Sequence, residues 1–213
     1  MKRKNQRRLS ISAILAISVL LDVSVSAQDL MGWSQCLGRE GPIIDVVIEG
    51  CTAIIQAGQD TPVKLALAFN NRGVAYRLKG EYDLALQDYD HAIRLDPNSA
   101  SHYNNRGIIY RIKHEYARAI ADYDEAIWLR ADYPAAFYNR ALAYADEGDY
   151  DHALADFNVV MQFDTRNPLA LYARGMTLLK KGDVEAGKAN IAAAKTINPN
   201  IGEQFDQSDS AAR

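Results

Sequence analysis

The chain has 213 residues, 48% of them hydrophobic and 24% charged, with a formal charge of −3. This balance fits one folded domain with an appendage and excludes a disordered polar chain. The slight acidity disfavours a nucleic-acid phosphate backbone as partner.

The first element is not part of the fold. "MKRKNQRRL" carries five basic residues and no acid, and the apolar run "ISAILAISVLL" follows it. That run falls short of the roughly 20 apolar residues that span a bilayer. Small residues Val25 and Ala27 then precede Gln28. A charged start, a short apolar middle and a small-residue exit make residues 1–27 a secretory signal peptide, with cleavage expected after Ala27. Asp22 in the apolar stretch argues against an uncleaved anchor, and Gln28 stands where a lipoprotein would need cysteine. Cleavage removes five basic residues and Asp22, so the mature chain falls to a charge of about −7. The expected location is the periplasm or the exterior, with no stable membrane insertion afterwards.

Residues 28–65 hold the two cysteines, Cys36 and Cys51. In an oxidising compartment a lone pair of this kind predicts a disulfide, with two small buried apolar thiols as the alternative.

From Ala66 onward the chain repeats every 34 residues without insertion or deletion: 66–99, 100–133, 134–167 and 168–201. Position 4 is Phe69, Tyr103, Phe137 and Leu171; position 8 is Gly73, Gly107, Ala141 and Gly175; position 11 is Tyr76, Tyr110, Tyr144 and Leu178. Positions 20, 24 and 27 again pair small residues with large ones, as in Ala85, Tyr89 and Ala92. The first triplet lies on one face of a first helix and the second on one face of a second. Small residues let the two helices approach, and rings fill the space around them. Most of the twelve tyrosines therefore read as core rather than as an aromatic cage. "KGEYD", "EGDYD" and "KGDVE" place glycine at the turn between helices. Such a hairpin cannot bury its own apolar face, so neighbours must stack.

This pattern resembles the tetratricopeptide repeat over residues 66–201. The resemblance implies an all-α, right-handed solenoid of stacked antiparallel hairpins. "IDVVIEGCTAIIQAG", Ile44 to Gly58, aligns with the second-helix pattern, placing Val47, Cys51 and Ile54 at positions 20, 24 and 27. Residues 28–65 then read as a degenerate capping hairpin, closed by Cys36–Cys51. Signal, cysteine pair, cap and "NNRG" repeats together are similar to small exported repeat proteins of proteobacteria. Residues 202–213 form a tail, and Phe205, with Ile201 just before the tail, is expected to cover the last hairpin for one turn.

No chemistry accompanies the repeat. His91, His102, His114 and His152 share no ligand-like register, and no HExxH, CxxC, glycine-rich phosphate loop or nucleophile elbow occurs. The recurring carboxylates Asp88, Asp122 and Asp156 follow the repeat and read as structural or solvated. We therefore expect no enzyme, no cofactor and no metal.

Recognition is the remaining reading. In the family the first helices line a concave groove. Carried onto this sequence, positions 5, 6 and 12 of that surface give Asn70, Asn71, Arg77, Asn104, Asn105, Arg111, Tyr138, Asn139 and Tyr172. Asn71, Asn105 and Asn139 form a ladder at position 6, and amides that both donate and accept suit the backbone of an extended peptide. Arg77 and Arg111 are the cations that would hold a carboxylate. Arg72, Arg106, Arg140 and Arg174 at position 7 read instead as partners of Asp88, Asp122, Asp156 and Asn190, setting stacking register at about 0–1 kcal/mol each. The expected function is a non-enzymatic module or scaffold that binds a peptide or protein segment in the groove. The alternative is an assembly factor of an envelope or secretion complex that uses convex or end surfaces.

Overall fold

The computed structural model describes residues 31–38 and 43–210, with side chains to residue 206. The expected signal peptide lies outside these residues. Helix α1 covers residues 31–36, and ten helices follow: α2 (Ile44–Ala57), α3 (Pro62–Leu78), α4 (Tyr82–Leu95), α5 (Ala100–Ile112), α6 (Tyr116–Leu129), α7 (Pro134–Glu147), α8 (Tyr150–Phe163), α9 (Pro168–Lys181), α10 (Val184–Ile197) and α11 (Ile201–Ser210). There is no strand among the described residues.

Local chemistry sets the helix ends. Proline opens α3, α7 and α9, where a missing N–H costs nothing. Helix α3 starts a turn before Ala66, because Thr61 caps it by accepting from the Lys64 N–H. Between the two helices of each repeat the backbone turns left-handed, at Gly80, Gly148 and Gly182 as the sequence predicts. Repeat two has no glycine there. His114 takes the same conformation, with φ 59°, at a strain of about 1 kcal/mol.

The helices pack in pairs, α3 on α4, α5 on α6, α7 on α8 and α9 on α10, and each second helix then packs on the next first helix. Helix α2 packs on α3 in the manner of a second helix. Successive first helices also touch, α3 with α5, α5 with α7 and α7 with α9, whereas successive second helices do not. The stack is therefore tighter on the first-helix side, which makes that side the concave wall.

Close approach explains the small residues of each hairpin. Tyr89, Tyr123 and Phe157 at position 24 are fully buried beside Ala85, Ala119 and Ala153. A methyl group on Gly107 would stand 2.7 Å from the Tyr123 ring, so the ring occupies the space that a side chain at position 8 would need. Repeat three solves the same problem with Ala141 and Phe157.

Position 7 fixes the stacking. Arg106 holds Asp122 with two bonds, Nε and Nη2 to the carboxylate at 2.8 and 2.7 Å, and its Nη1 reaches back to Asp90 of repeat one at 2.8 Å. Arg72 pairs with Asp88 and reaches Thr52; Arg140 pairs with Asp156 and reaches Asp124. Thr52 is the residue that the alignment of α2 puts at position 25, so the degenerate hairpin keeps the contact. Asp88, Asp122 and Asp156 are only 5–8% exposed in their side chains, which makes these pairs deeper than the surface pairs expected from the sequence. Arg72 and Arg106 are held above the usual guanidinium range by bonds to Asp88 and Asp122. Arg174 meets only the neutral Asn190 and Asn158, and burial lowers it.

Both ends are closed. Cys36 and Cys51 are joined by a disulfide, buried where α1 meets α2, and Trp33 donates to Asp60 at 3.0 Å. At the other end α11 runs ten residues, well beyond the single turn expected, because Ile201 is fully buried and Phe205 packs on Tyr172.

Candidate functional site

The concave wall carries the asparagines, and they are joined to one another. Asn139 donates its Nδ2 to Asn104 Oδ1 at 2.9 Å, Asn104 donates to Asn105 Oδ1 at 3.4 Å, and Asn105 donates to Asn70 Oδ1 at 2.9 Å. Asn70 then donates to Asn71 Oδ1 at 3.4 Å, and Asn71 donates to the Cys36 carbonyl at 3.4 Å. The result is a relay of five amides with every bond in one direction. It starts in repeat three, crosses two repeat boundaries and ends on a disulfide-bonded residue. His102 Nδ1 lies 3.2 Å from Asn70 Oδ1, which already accepts from Asn105; the histidine proton therefore sits on Nδ1.

This arrangement divides the expected site. Asn71, Asn105 and Asn139 at position 6 are half-buried on the wall. Each keeps capacity for an outside partner, since an amide has two N–H groups and two lone pairs. Asn70 and Asn104 depart from the expectation of a groove-wall role. They are 7% and 4% exposed because each inserts between repeats to meet the next position-6 amide.

The two arginines also differ. Arg111 is buried and its Nη1 donates to Asp146 Oδ2 of repeat three at 2.7 Å, so it is not the open cation expected. Repeat two has Ile112 where repeat three has Asp146, and Arg77 accordingly meets no carboxylate among the described residues. Its neighbour is Tyr89, whose hydroxyl is pushed upward by burial against the opposing pull of Arg77. Of the aromatic candidates, Tyr172 is covered by Phe205 at 5.2 Å between ring centres, whereas Tyr138 lines an open cleft. Sequence periodicity placed these residues on one face. It gave no signal for the links between positions 5 and 6, because they join residues 35 apart through a superhelix not yet formed.

Two hollows mark the wall. One, about 310 Å³, is lined by Pro134, Ala135, Tyr138, Asn139, Val160, Asn167 and Leu169. The other, about 200 Å³, lies at the capping end against Asn71, Val74, Val47 and Leu37. No group of side chains suited to a metal ion occurs among the described residues, and no described helix is long and apolar enough to cross a membrane.

Comparison with known families agrees with this geometry. Tetratricopeptide-repeat models match residues 66–99, 88–121, and 134–164 with 169–201, and a TPR-repeat model matches 107–148. The chain belongs to the tetratricopeptide-repeat family, whose members are protein-interaction modules.

Among solved structures it is similar to MamA, with a TM-score of 0.65 and 20% identity over 78% of this chain and 95% of that one. It is also similar to YrrB, described as a TPR protein with an unusual peptide-binding site, with a TM-score of 0.63 and 19% identity over 81% and 87% of the two chains. A third likeness is to the first TPR of Spaghetti (RPAP3), solved with the HSP90 peptide SRMEEVD, with a TM-score of 0.55 and 23% identity over 56% and 98%. At these identities the likeness is one of fold. No curated protein sequence matches the chain.

Proposed function

We propose that this protein binds a peptide or an extended protein segment along its concave wall, outside the cytoplasm. The observation that carries the reading is the amide relay. It fixes the orientation of Asn71, Asn105 and Asn139 before any ligand arrives, so little side-chain entropy is lost when they pair with a peptide backbone. Asn70, Asn104 and Arg111 hold those amides and the wall in place, while Arg77 supplies a cation for an acidic residue of the ligand. The peptide-binding site named for YrrB and the peptide complex named for RPAP3 support a ligand of this class.

The test is affinity capture from an envelope extract with the wild type and the Asn71→Ala/Asn105→Ala double variant, with thermal unfolding followed in parallel. Loss of the partner from a variant that still unfolds cooperatively supports groove binding. Undiminished capture refutes it. Export rests on the N-terminal sequence alone; N-terminal sequencing of the mature protein should begin at Gln28.

A second reading, assembly through the convex face, is favoured by Trp128 on α6, a residue 77% exposed. Capture lost in Trp128→Ala and kept in the asparagine double variant would favour it.

A further inference from the structure

The relay stops at repeat three, and the cleft begins there. Position 5 is Asn70 and Asn104 in the first two repeats but Tyr138 in the third, and position 6 of repeat four is Ala173. Position 3 of repeat two is His102, buried against Asn70, whereas Ala170 holds that place in repeat four. The amides and the imidazole that close the earlier boundaries are thus replaced by small residues and a tyrosine. A hollow of about 310 Å³ remains between the starts of α7 and α9, floored by Val160 of α8.

Apart from the Tyr138 hydroxyl, its lining is apolar except for two amides, and each amide has spent only one of its groups. Asn139 donates its Nδ2 to Asn104, and its Oδ1 has no partner among the described residues. Asn167 caps α9 by accepting from the Ala170 N–H with Oδ1, and its Nδ2 is unpartnered among them. One acceptor and one donor beside an apolar hollow are the complement of a peptide group next to a large apolar side chain. No charged residue lines the hollow, so a charged side chain entering it would be stripped of water without compensation. The carboxylate of such a ligand is matched elsewhere on the same wall, by Arg77.

Resting on the groove reading above, we propose that this cleft is the specificity pocket of the groove. Its occupant is a leucine, methionine or phenylalanine of an extended, acidic peptide from a partner protein. The peptide N–H beside that residue donates to Asn139 Oδ1, and the carbonyl accepts from Asn167 Nδ2. The chain's own last residues, 207–213, do not fit, because they contain no large apolar side chain.

The test uses the full chain and fluorescein-labelled nonapeptides of Asp, Ser and Gly that differ only at the central residue: Leu, Phe, Ala or Asp. Fluorescence anisotropy should show the Leu and Phe peptides binding at least about tenfold tighter than Ala, since one buried large side chain is worth a factor of this order or more. Ala135→Trp fills the cleft and should abolish that preference, bringing the Leu and Phe peptides down to the level of the Ala peptide. Asn167→Asp keeps the cap acceptor but removes the donor, and should weaken the Leu peptide about tenfold with unfolding little changed.

Equal affinity for Leu and Ala peptides, or an Ala135→Trp variant that still prefers Leu, overturns the pocket and leaves the groove reading standing. Binding by none of the peptides removes the support for both. An Ala135→Trp-sensitive dimer in sedimentation would seat a second copy in the cleft. Binding that appears only once residues 1–27 are removed would seat the N-terminal segment there. Either result overturns the proposal.

Discussion

Arg174 donates to Asn190 at 2.8 Å in the place where Arg72, Arg106 and Arg140 each hold an aspartate. Repeat four is therefore a natural neutral version of the contact that the other repeats carry as an ion pair: the Nε bond is kept, while the second bond is lost and the Asn190 Nδ2 donates to the Ala186 carbonyl instead.

Substitutions at the second repeat should separate bond from charge. Arg106→Ala leaves Asp122 buried and unpaired and should cost about 3 kcal/mol in urea denaturation. Asp122→Asn reproduces the Arg174–Asn190 arrangement. Burial raises the Asp122 carboxyl despite the opposing bond from Arg106, so its neutralisation should cost only about 1 kcal/mol. Groove binding should be unaffected by either variant once folded. Equal losses for the two would refute the distinction.

Tyr123 is fully buried and its hydroxyl has no hydrogen-bond partner among the described residues. Desolvation raises its titration far above the phenolic range. Tyr123→Phe copies Phe157 of the next repeat and removes an unsatisfied polar atom. It should stabilise the protein by about 1 kcal/mol, read as a higher Tm in calorimetry. A lower Tm would mean that the hydroxyl has a partner after all.

His102 gives the fold a pH dependence of known sign. Burial holds its imidazole below the ordinary histidine value, only partly offset by Asp96. A depressed folded value means that its contribution is fully present above about pH 6.5 and is lost as the pH falls through the folded value. Urea midpoints measured from pH 7.5 to 5 should decline for the wild type and decline less for His102→Gln. Parallel declines would assign the effect to other groups.

Reduction of Cys36–Cys51 opens a loop of 15 residues, worth about 3 kcal/mol. It also loosens the carbonyl on which the relay ends. A Cys36→Ser/Cys51→Ser variant should expose residues 31–57 to limited proteolysis while α5 to α10 stay protected. Cleavage spread evenly along the chain would contradict a local role.

The architecture was legible because a 34-residue period needs only side-chain size and spacing. Gly107 and Tyr123, sixteen residues apart, announce their contact through composition alone. The arginine–aspartate pairs were readable for a similar reason, since both members recur in phase. Their depth was not, because burial at position 23 depends on the neighbouring repeat. The asparagines were the hardest to read. From the sequence Asn104 and Asn105 are equivalent wall residues; in space one is the joint between repeats and the other faces outward. Arg77 and Arg111 are likewise identical in register, and only Asp146, 35 residues beyond Arg111, tells them apart. The turn at His114 was unreadable, as local strain accepted by one repeat leaves no mark in the period.

The arginine ladder also governs how the array comes apart. In a linear stack, cooperativity depends on the coupling between neighbours, and the weakest coupling decides where unfolding begins. Repeats one to three are stitched by arginine–aspartate bonds that span their boundaries, whereas the arginine of repeat four reaches back to the neutral Asn158, beside the exposed Lys181–Asp151 ion pair. Its own position 25 is Ala192, which offers nothing to a following arginine. Repeats one to three are thus one block of charged position-7 bonds, with neutral ones to the cap and to the last hairpin, and the Asn139–Asn167 cleft lies on the seam between that block and the last hairpin. A ligand seated on that seam would tie the last hairpin to the block, so that binding and the unfolding of one end draw on the same free energy.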